Sequence, residues 1–359
     1  MGRSLLLGRI AGIRILVHWT FLLLIGWVVF TEVGRGSNVP TILATIGFVL
    51  ALFACVLLHE LGHSLMAKRF GIDTKKITLL PIGGVASLER IPEDPKQELW
   101  VALAGPAVNV VIALVLYLFV SSVLATADIT TVDVTTSEGF LYSLFRANVA
   151  LVIFNAIPAF PMDGGRILRA LLALRFGRIR ATSIAAGLGQ LIAIGFVFFG
   201  LFNKPMFVLI GVFVYFGAQS ENVAVQHLEL LRDYTVRSAM MTNFVTLSPH
   251  DTVKEAADKL LLGSDQDLIV VDNDQAVGVM TRGLIIDSLR ENRLLTPVAE
   301  VMHRDFDTVE INDRLTEVYA HAQRRPNAFY PVLENNKLRG VIDMTNINEF
   351  VMIRSALRY

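Results

Sequence analysis

The chain has 359 residues, 53% of them hydrophobic and 18% charged, with 32 basic side chains balancing 32 acidic ones. An ordinary soluble domain carries about 25% charged residues, so much of this chain is too apolar to face water. Zero net charge without a basic block gives no footing to a nucleic-acid partner, and a single cysteine, Cys55, excludes an internal disulfide.

The apolar residues are unevenly spread. Up to about residue 218 the chain is a series of long apolar runs, and from about residue 221 charged residues recur every few positions, so a membrane half precedes a soluble half. The N-terminus lacks the Ser or Thr at position six that a myristoylation signal requires. Arg3, Arg9 and Arg14 lead into the run 15–30, which no small-residue cleavage site follows, so it is expected to be a retained first span. About 20 mostly apolar residues cross the hydrocarbon core. By that measure six spans are expected, at 15–30, 41–66, 99–124, 141–160, 183–202 and 206–218.

Lysine and arginine in short loops favour the cytoplasmic side. Arg3, Arg9 and Arg14 precede span one, Lys68, Arg69, Lys75 and Lys76 follow span two, and Arg166, Arg169, Arg175, Arg178 and Arg180 follow span four. Six alternating spans place all three clusters on one side. The loop 127–139 holds Asp128, Asp133 and Glu138 with no lysine or arginine, and so faces outward. A multi-pass protein of the cell membrane is expected, with both termini and the soluble half in the cytoplasm.

Span two contains His59-Glu60-Leu61-Gly62-His63 after an almost unbroken apolar run. Positions i and i+4 share a helix face, so His59 and His63 can offer two imidazoles to one metal, with Glu60 one residue round from the first. Two histidines and one further protein ligand leave a zinc ion an open fourth position. The metal makes water nucleophilic at neutral pH, and the glutamate takes the water's proton. Ionisable groups in a membrane segment are costly and rarely present without a role. Cys55, one turn earlier, and His18, near the start of span one, are read as packing and interfacial residues rather than ligands.

The third ligand must reach the same depth. Asp163 is the best placed, in Asn155-Ala156-Ile157-Pro158-Ala159-Phe160-Pro161-Met162-Asp163-Gly164-Gly165, where two prolines and two glycines break an apolar helix. Such irregularity is tolerated where it packs in protein or lines a watery cavity. Spans two and four run in the same direction, which brings both motifs to one depth. Glu89, Glu93, Asp94, Asp128, Asp133 and Glu138 are poorer candidates, being in loops or on the far side.

These residues resemble the site-2 protease family of intramembrane zinc metalloproteases. The likeness runs through the membrane half, including Gly83-Gly84 after span two and Gly105-Pro106 with Asn109 in span three. It implies one zinc ion per chain held by His59, His63 and Asp163, with Glu60 as general base and acid. It further implies that Asn155 binds substrate backbone or stabilises the oxyanion. The segment from Pro81 to Leu88, with Gly83 and Gly84, is implied to lie beside the site as an extended strand that an unwound substrate can pair with.

The soluble half repeats itself. Met240 and Met302, Asp251 and Asp313, Val270 and Val332, and Gly278 and Gly340 share one offset, 302 − 240 = 62. Each copy is expected to hold a short strand, an amphipathic helix (Val253, Ala256, Ala257 and Leu260 in the first), a β-hairpin and a second helix. The hairpin turns are Asp272-Asn273-Asp274-Gln275 and Glu334-Asn335-Asn336-Lys337. This resembles a tandem pair of CBS domains over about Tyr234 to Arg358, a module that commonly binds adenine nucleotides and regulates an attached unit. Leu284 and Asn346 stand where a ribose-binding aspartate is usual, and Asp343 replaces a Ser or Thr, which counts against ATP or AMP. Dimerisation or substrate docking is the alternative role. His227, His250, His303 and His321 show no metal-ligand spacing.

The expected fold is therefore a polytopic α-helical membrane protein followed by a soluble α/β tandem CBS module. Its expected divisions are a protease domain over 1–220, a linker over 221–234, and CBS domains over 235–295 and 296–359. The expected activity is hydrolysis of a peptide bond in or near the transmembrane segment of a membrane-anchored protein, with the CBS pair regulating or assembling the enzyme. The rival is a CBS-regulated metal transporter or channel, which has no need of Glu60 as a base.

Overall fold

The computed structural model describes residues 4–81, 83–88, 92, 94–126, 134–262, 267–323 and 329–357. Ile82, Glu89, Glu93, Asp128 and Asp133, with Met1 to Arg3 and Arg358, lie outside the described residues. The chain forms two units, Met1–Val223 and Ala224–Tyr359.

The first unit opens with two strands, not with a membrane helix. β1 (Ser4–Ile10) and β2 (Ile13–His18) form a hairpin through Ala11 and Gly12, both at positive φ. Ile13 and Ile15 are buried while Arg14 between them is exposed, a period of two that suits a sheet with one covered face. The short run 15–17 is apolar without a break, so hydrophobicity alone reads it as the start of a helix. The helix proper is α1 (Thr20–Gly34), with 15 residues.

Five further helices follow, with a strand pair and a short helix between them. α2 (Val39–Arg69), α3 (Pro95–Thr126), α4 (Ser137–Ala156), α6 (Arg178–Phe202) and α7 (Met206–Leu231) are each long and apolar enough to cross a membrane. β3 (Thr74–Leu80) and β4 (Gly83–Leu88) follow α2 and complete a sheet in the order β1-β2-β3-β4. This sheet lies on α2: Ile13, Ile15 and Ile77 form one core with Leu61.

The expected fourth span stops early. α4 ends at Ala156, residues 157–162 are irregular, and α5 (Asp163–Phe176) begins a separate helix that the apolar pattern does not announce. The irregular segment is packed in protein, with Ala159, Phe160 and Met162 buried against small residues of α6 such as Ala185, Ala186 and Ala193. Gly217 of α7 admits Pro161, since a Cβ there would stand 2.7 Å from the proline Cδ.

Arg169 of α5 is fully buried. Its Nε donates to Glu98 of α3 at 2.8 Å, its Nη1 donates to Glu221 of α7, and its guanidinium carbon lies 4.9 Å from the Phe160 ring centre. A charge among apolar helices is tolerable because two carboxylates and a ring face answer it. Three helices are thereby joined at one side chain.

The second unit holds the two repeats. The first comprises β5 (Thr246–Leu247), α8 (Val253–Leu262), β6 (Asp267–Asp272), β7 (Gln275–Thr281) and α9 (Arg282–Arg290). The second is led by α10 (Val298–Val301) and continues with β8 (Val309–Glu310), α11 (Leu315–Ala322), β9 (Tyr330–Glu334), β10 (Lys337–Ile342) and α12 (Met344–Ala356). Both hairpins turn on two residues at positive φ, Asn273-Asp274 and Asn335-Asn336, as the tightest hairpin turns require.

Each repeat completes the other. Val236, ahead of the first repeat, sits in the core of the second, while Val298 and Met302 pack in the core of the first. Matching bridges join Met241 to Val341 and His303 to Val279. The repeated Met and Gly are explained by this exchange: a Cβ on Gly278 would meet Met302 Sδ at 2.3 Å, and one on Gly340 would meet Met240 Sδ at 3.0 Å.

Arg169→Met removes the shared cation and strands the buried Glu98 and the half-buried Glu221, and is expected to lower stability by about 3–5 kcal/mol. Denaturant unfolding in detergent micelles measures the loss; an unchanged midpoint would contradict the role given to the cluster.

Candidate metal centre

The centre forms where α2, α3 and α5 meet. His59 Nε2, His63 Nε2 and Asp163 Oδ2 lie 3.1 Å from one another, and all three residues are buried. They form the one group of three or more potential metal ligands among the described residues. The two histidines share a face of α2 because they are four residues apart. Asp163 arrives as the first residue of α5, directed there by the packed segment before it.

The outer nitrogens are held by acceptors. His63 Nδ1 donates to the Val101 carbonyl at 2.7 Å, and His59 Nδ1 donates to Asn109 Oδ1 at 2.6 Å, both partners being on α3. A neutral ring with its proton on Nδ1 turns an unprotonated Nε2 toward the carboxylate. Three acceptor atoms with no proton between them repel one another unless a cation sits among them. Donors bound at about 2.0–2.1 Å in a tetrahedron lie about 3.3–3.4 Å apart, close to the spacing seen here. Two neutral imidazoles and one carboxylate are a donor set suited to zinc, so these residues fit the ion that the sequence suggests.

Close backbone approach makes the meeting possible. A Cβ on Gly62 would stand 2.7 Å from the Ala104 carbonyl oxygen, and one on Gly105 would stand 2.2 Å from His63 Nε2 and 2.8 Å from His59 Nε2. α3 thus presents bare backbone to the donor atoms. On α5, a Cβ on Gly164 would stand 2.3 Å from the Ile157 carbonyl oxygen, so the turn into Asp163 also requires glycine.

Glu60 lies against β4. A Cβ on Gly84 would stand 2.6 Å from Glu60 Cγ, which places the carboxylate beside the strand. Gly83 opens β4 at φ 138, a conformation that favours glycine. β4 ends the sheet, with β3 on one side and its other edge unpaired among the described strands. Asn155 is half-buried in the last turn of α4 and is not one of the three clustered residues.

The other sequence candidates fall elsewhere. Cys55 is buried and accepts a hydrogen bond from Asn148, His18 pairs with Thr20 at 2.7 Å, and Asp94 and Glu138 are outside the cluster. Sequence reasoning passed over Asn148, which contacts Asn109, and the Val101 carbonyl. A buried asparagine in an apolar span was a readable signal, by the same expense that singled out the histidines. A backbone acceptor leaves no trace in side-chain identity.

A family model described as peptidase family M50 matches residues 47–127 and 119–200, and the CBS domain model matches 236–291 and 298–353. Zinc metalloprotease MJ0392 of Methanocaldococcus jannaschii is 36% identical over 348 residues, spanning 97% of this chain and 96% of that protein. Stage IV sporulation protein FB of Bacillus subtilis is 31% identical over 121 residues, 33% of this chain and 38% of that one. Among solved structures, a site-2 protease from Methanocaldococcus jannaschii is 39% identical and covers 61% of this chain and 95% of that one, with a TM-score of 0.46. The metalloprotease relative favours hydrolysis over ion transport.

Gly105→Ala would drive a methyl group between the histidine donors and is expected to abolish zinc binding while leaving helix content unchanged. Metal analysis and circular dichroism of the purified protein check this; full zinc occupancy in the variant would refute the contact.

Proposed function

The chain belongs to peptidase family M50 and is a membrane zinc metalloprotease of the site-2 type with a tandem CBS module, and on that premise we propose that it hydrolyses a peptide bond in or near the transmembrane segment of a membrane-anchored protein. The observation that carries this reading is the convergence of His59, His63 and Asp163 at 3.1 Å where the short helix α5 meets α2 and α3, both long enough to span a bilayer. These three residues are assigned as the holders of zinc. When bound, zinc acts as a Lewis acid toward water and the scissile carbonyl.

The chain's own residues do the rest. Glu60, beside the centre and against β4, accepts a proton from the attacking water. The water oxygen bonds to the carbonyl carbon, the C–N bond breaks, and the Glu60 proton passes to the departing nitrogen. Asn155 is assigned to the oxyanion or the substrate backbone, where a neutral amide donor stabilises developing charge.

A helical substrate has its amides locked in internal hydrogen bonds, so the scissile carbonyl must first be freed. The open edge of β4, with Gly83 and Gly84, offers the unwound segment replacement main-chain partners beside Glu60. The lysine and arginine bias supports a site toward the cytoplasmic end of its helices, with both termini in the cytoplasm and release of a cytoplasmic fragment.

The CBS module is assigned to regulation or assembly, including pairing with a second copy, rather than to adenine nucleotide sensing. Asp343 and Asn346 are already engaged with each other: Asp343 Oδ1 accepts from the Asn346 amide at 2.8 Å and Asn346 Oδ1 accepts from the Asp343 amide at 3.1 Å, capping α12. Burial pushes the nearby Asp267 carboxyl above its ordinary range, against the hydrogen bond it accepts from the Arg282 amide, and Asp343 adds to the rise. Paired acidic groups disfavour a phosphate there.

Glu60→Gln is expected to lower cleavage by at least about a hundredfold with bound zinc unchanged. Quantitative proteomics of membranes from cells with the intact or substituted protein reads this as uncut substrate accumulating in the variant; wild-type cleavage there would sink the proposal. Calorimetric titration of the full chain with ATP is expected to give no heat at millimolar ligand, and saturable heat would reverse the reading of the CBS module.

A further inference from the structure

Asn148 is fully buried in α4 and touches neither the clustered ligands nor Glu60 by any hydrogen bond described. Its side chain nevertheless stands at the head of a chain of hydrogen bonds that ends on His59. Asn148 Nδ2 donates to the Leu144 carbonyl at 2.9 Å and to Cys55 Sγ at 3.4 Å, and its Oδ1 accepts from Asn109 Nδ2 at 2.8 Å. Asn109 Oδ1 in turn accepts from His59 Nδ1.

We propose that Asn148 is a positioning residue for the metal centre, fixing through Asn109 which ring nitrogen of His59 carries the proton. An amide side chain can be turned end for end, and an imidazole can hold its proton on either nitrogen, so each link alone is ambiguous. The Leu144 carbonyl removes the ambiguity because it can only accept. It demands the NH₂ group of Asn148, which leaves the Asn148 oxygen facing Asn109. That oxygen demands the NH₂ group of Asn109, which leaves the Asn109 oxygen facing His59. His59 must then carry its proton on Nδ1, and Nε2 is left bare toward His63 and Asp163.

His63 reaches the same state in one step, through the Val101 carbonyl. Two backbone carbonyls, on α3 and α4, therefore set both tautomers. Asn109 without Asn148 does not suffice: with its NH₂ group unanswered, Asn109 can turn that group toward His59, and the ring then accepts at Nδ1 and protonates Nε2. In that state His59 cannot bind a metal. Partners behind metal-binding histidines affect metal affinity by about 10- to 100-fold.

The inference rests on His59 being a zinc ligand, and the experiment separates the two. Zinc affinity of the full chain in detergent is measured by chelator competition for the wild type, His59→Ala, Asn148→Leu, Asn109→Ala, the Asn148→Leu/Asn109→Ala double variant and Cys55→Ala. His59→Ala is expected to lose zinc; wild-type affinity there would overturn the ligand assignment and the relay with it. Asn148→Leu is expected to weaken zinc about 10- to 100-fold in the wild-type background and to add nothing once Asn109 is alanine, while Cys55→Ala leaves affinity unchanged. An equal effect of Asn148→Leu in both backgrounds, or none in the first, would overturn the relay alone. The wild-type protein gives an independent reading that needs no variant to fold: ¹⁵N spectra of histidine-labelled, metal-stripped protein should show His59 protonated at Nδ1, and an unprotonated Nδ1 would refute the proposal.

Discussion

Two imidazole nitrogens and a carboxylate oxygen brought within 3.1 Å of one another are the constraint around which the membrane unit is arranged. Such an arrangement is repulsive by itself and is useful only to a cation. In a low-dielectric bundle a misplaced proton is costly, so the state of each imidazole is set by the groups around it. The outer nitrogens of both histidines therefore face acceptors, one on a backbone carbonyl and one on a buried amide. Polar side chains that would be a liability elsewhere in a membrane helix are retained because each answers another.

Bringing donors from separate helices so close requires backbones to approach more nearly than side chains usually permit. Gly62 and Gly105 remove the Cβ atoms that would separate α2 from α3, and Gly164 does the same at the turn into α5. Within the irregular segment before Asp163, Ala159, Phe160 and Met162 are buried against α6 and α7, which fixes where the aspartate enters. Behind it, Arg169 ties α5 to α3 and α7, so that the helix carrying Asp163 is anchored at both its start and its middle.

The second unit solves a different problem with a repeat. Neither copy has enough apolar surface in its own short strands and helices, and each borrows the segment that precedes or follows its neighbour. A division along the sequence therefore separates residues that share a core. The capping pair Asp343 and Asn346 starts the last helix of the second copy.

The sequence by itself determined the division into membrane and soluble halves, the histidine pair, the repeat and both hairpin turns. Each depends on short spacings or on residue chemistry that local geometry converts directly: four residues make one helix face, and paired Asn and Asp residues accept positive φ. It also singled out Asp163, since an acid in a broken apolar helix is conspicuous. Only the tertiary structure decided that the first apolar run begins as strand, because a three-residue apolar stretch has no period to read. Only it decided that a new helix starts at Asp163, that Arg169 belongs with Glu98 and Glu221, and that Leu144, Asn148 and Asn109 stand behind His59. Those contacts join residues 39 to 71 positions apart or employ backbone atoms, and nothing in the identity of a residue records which distant carbonyl its side chain will meet.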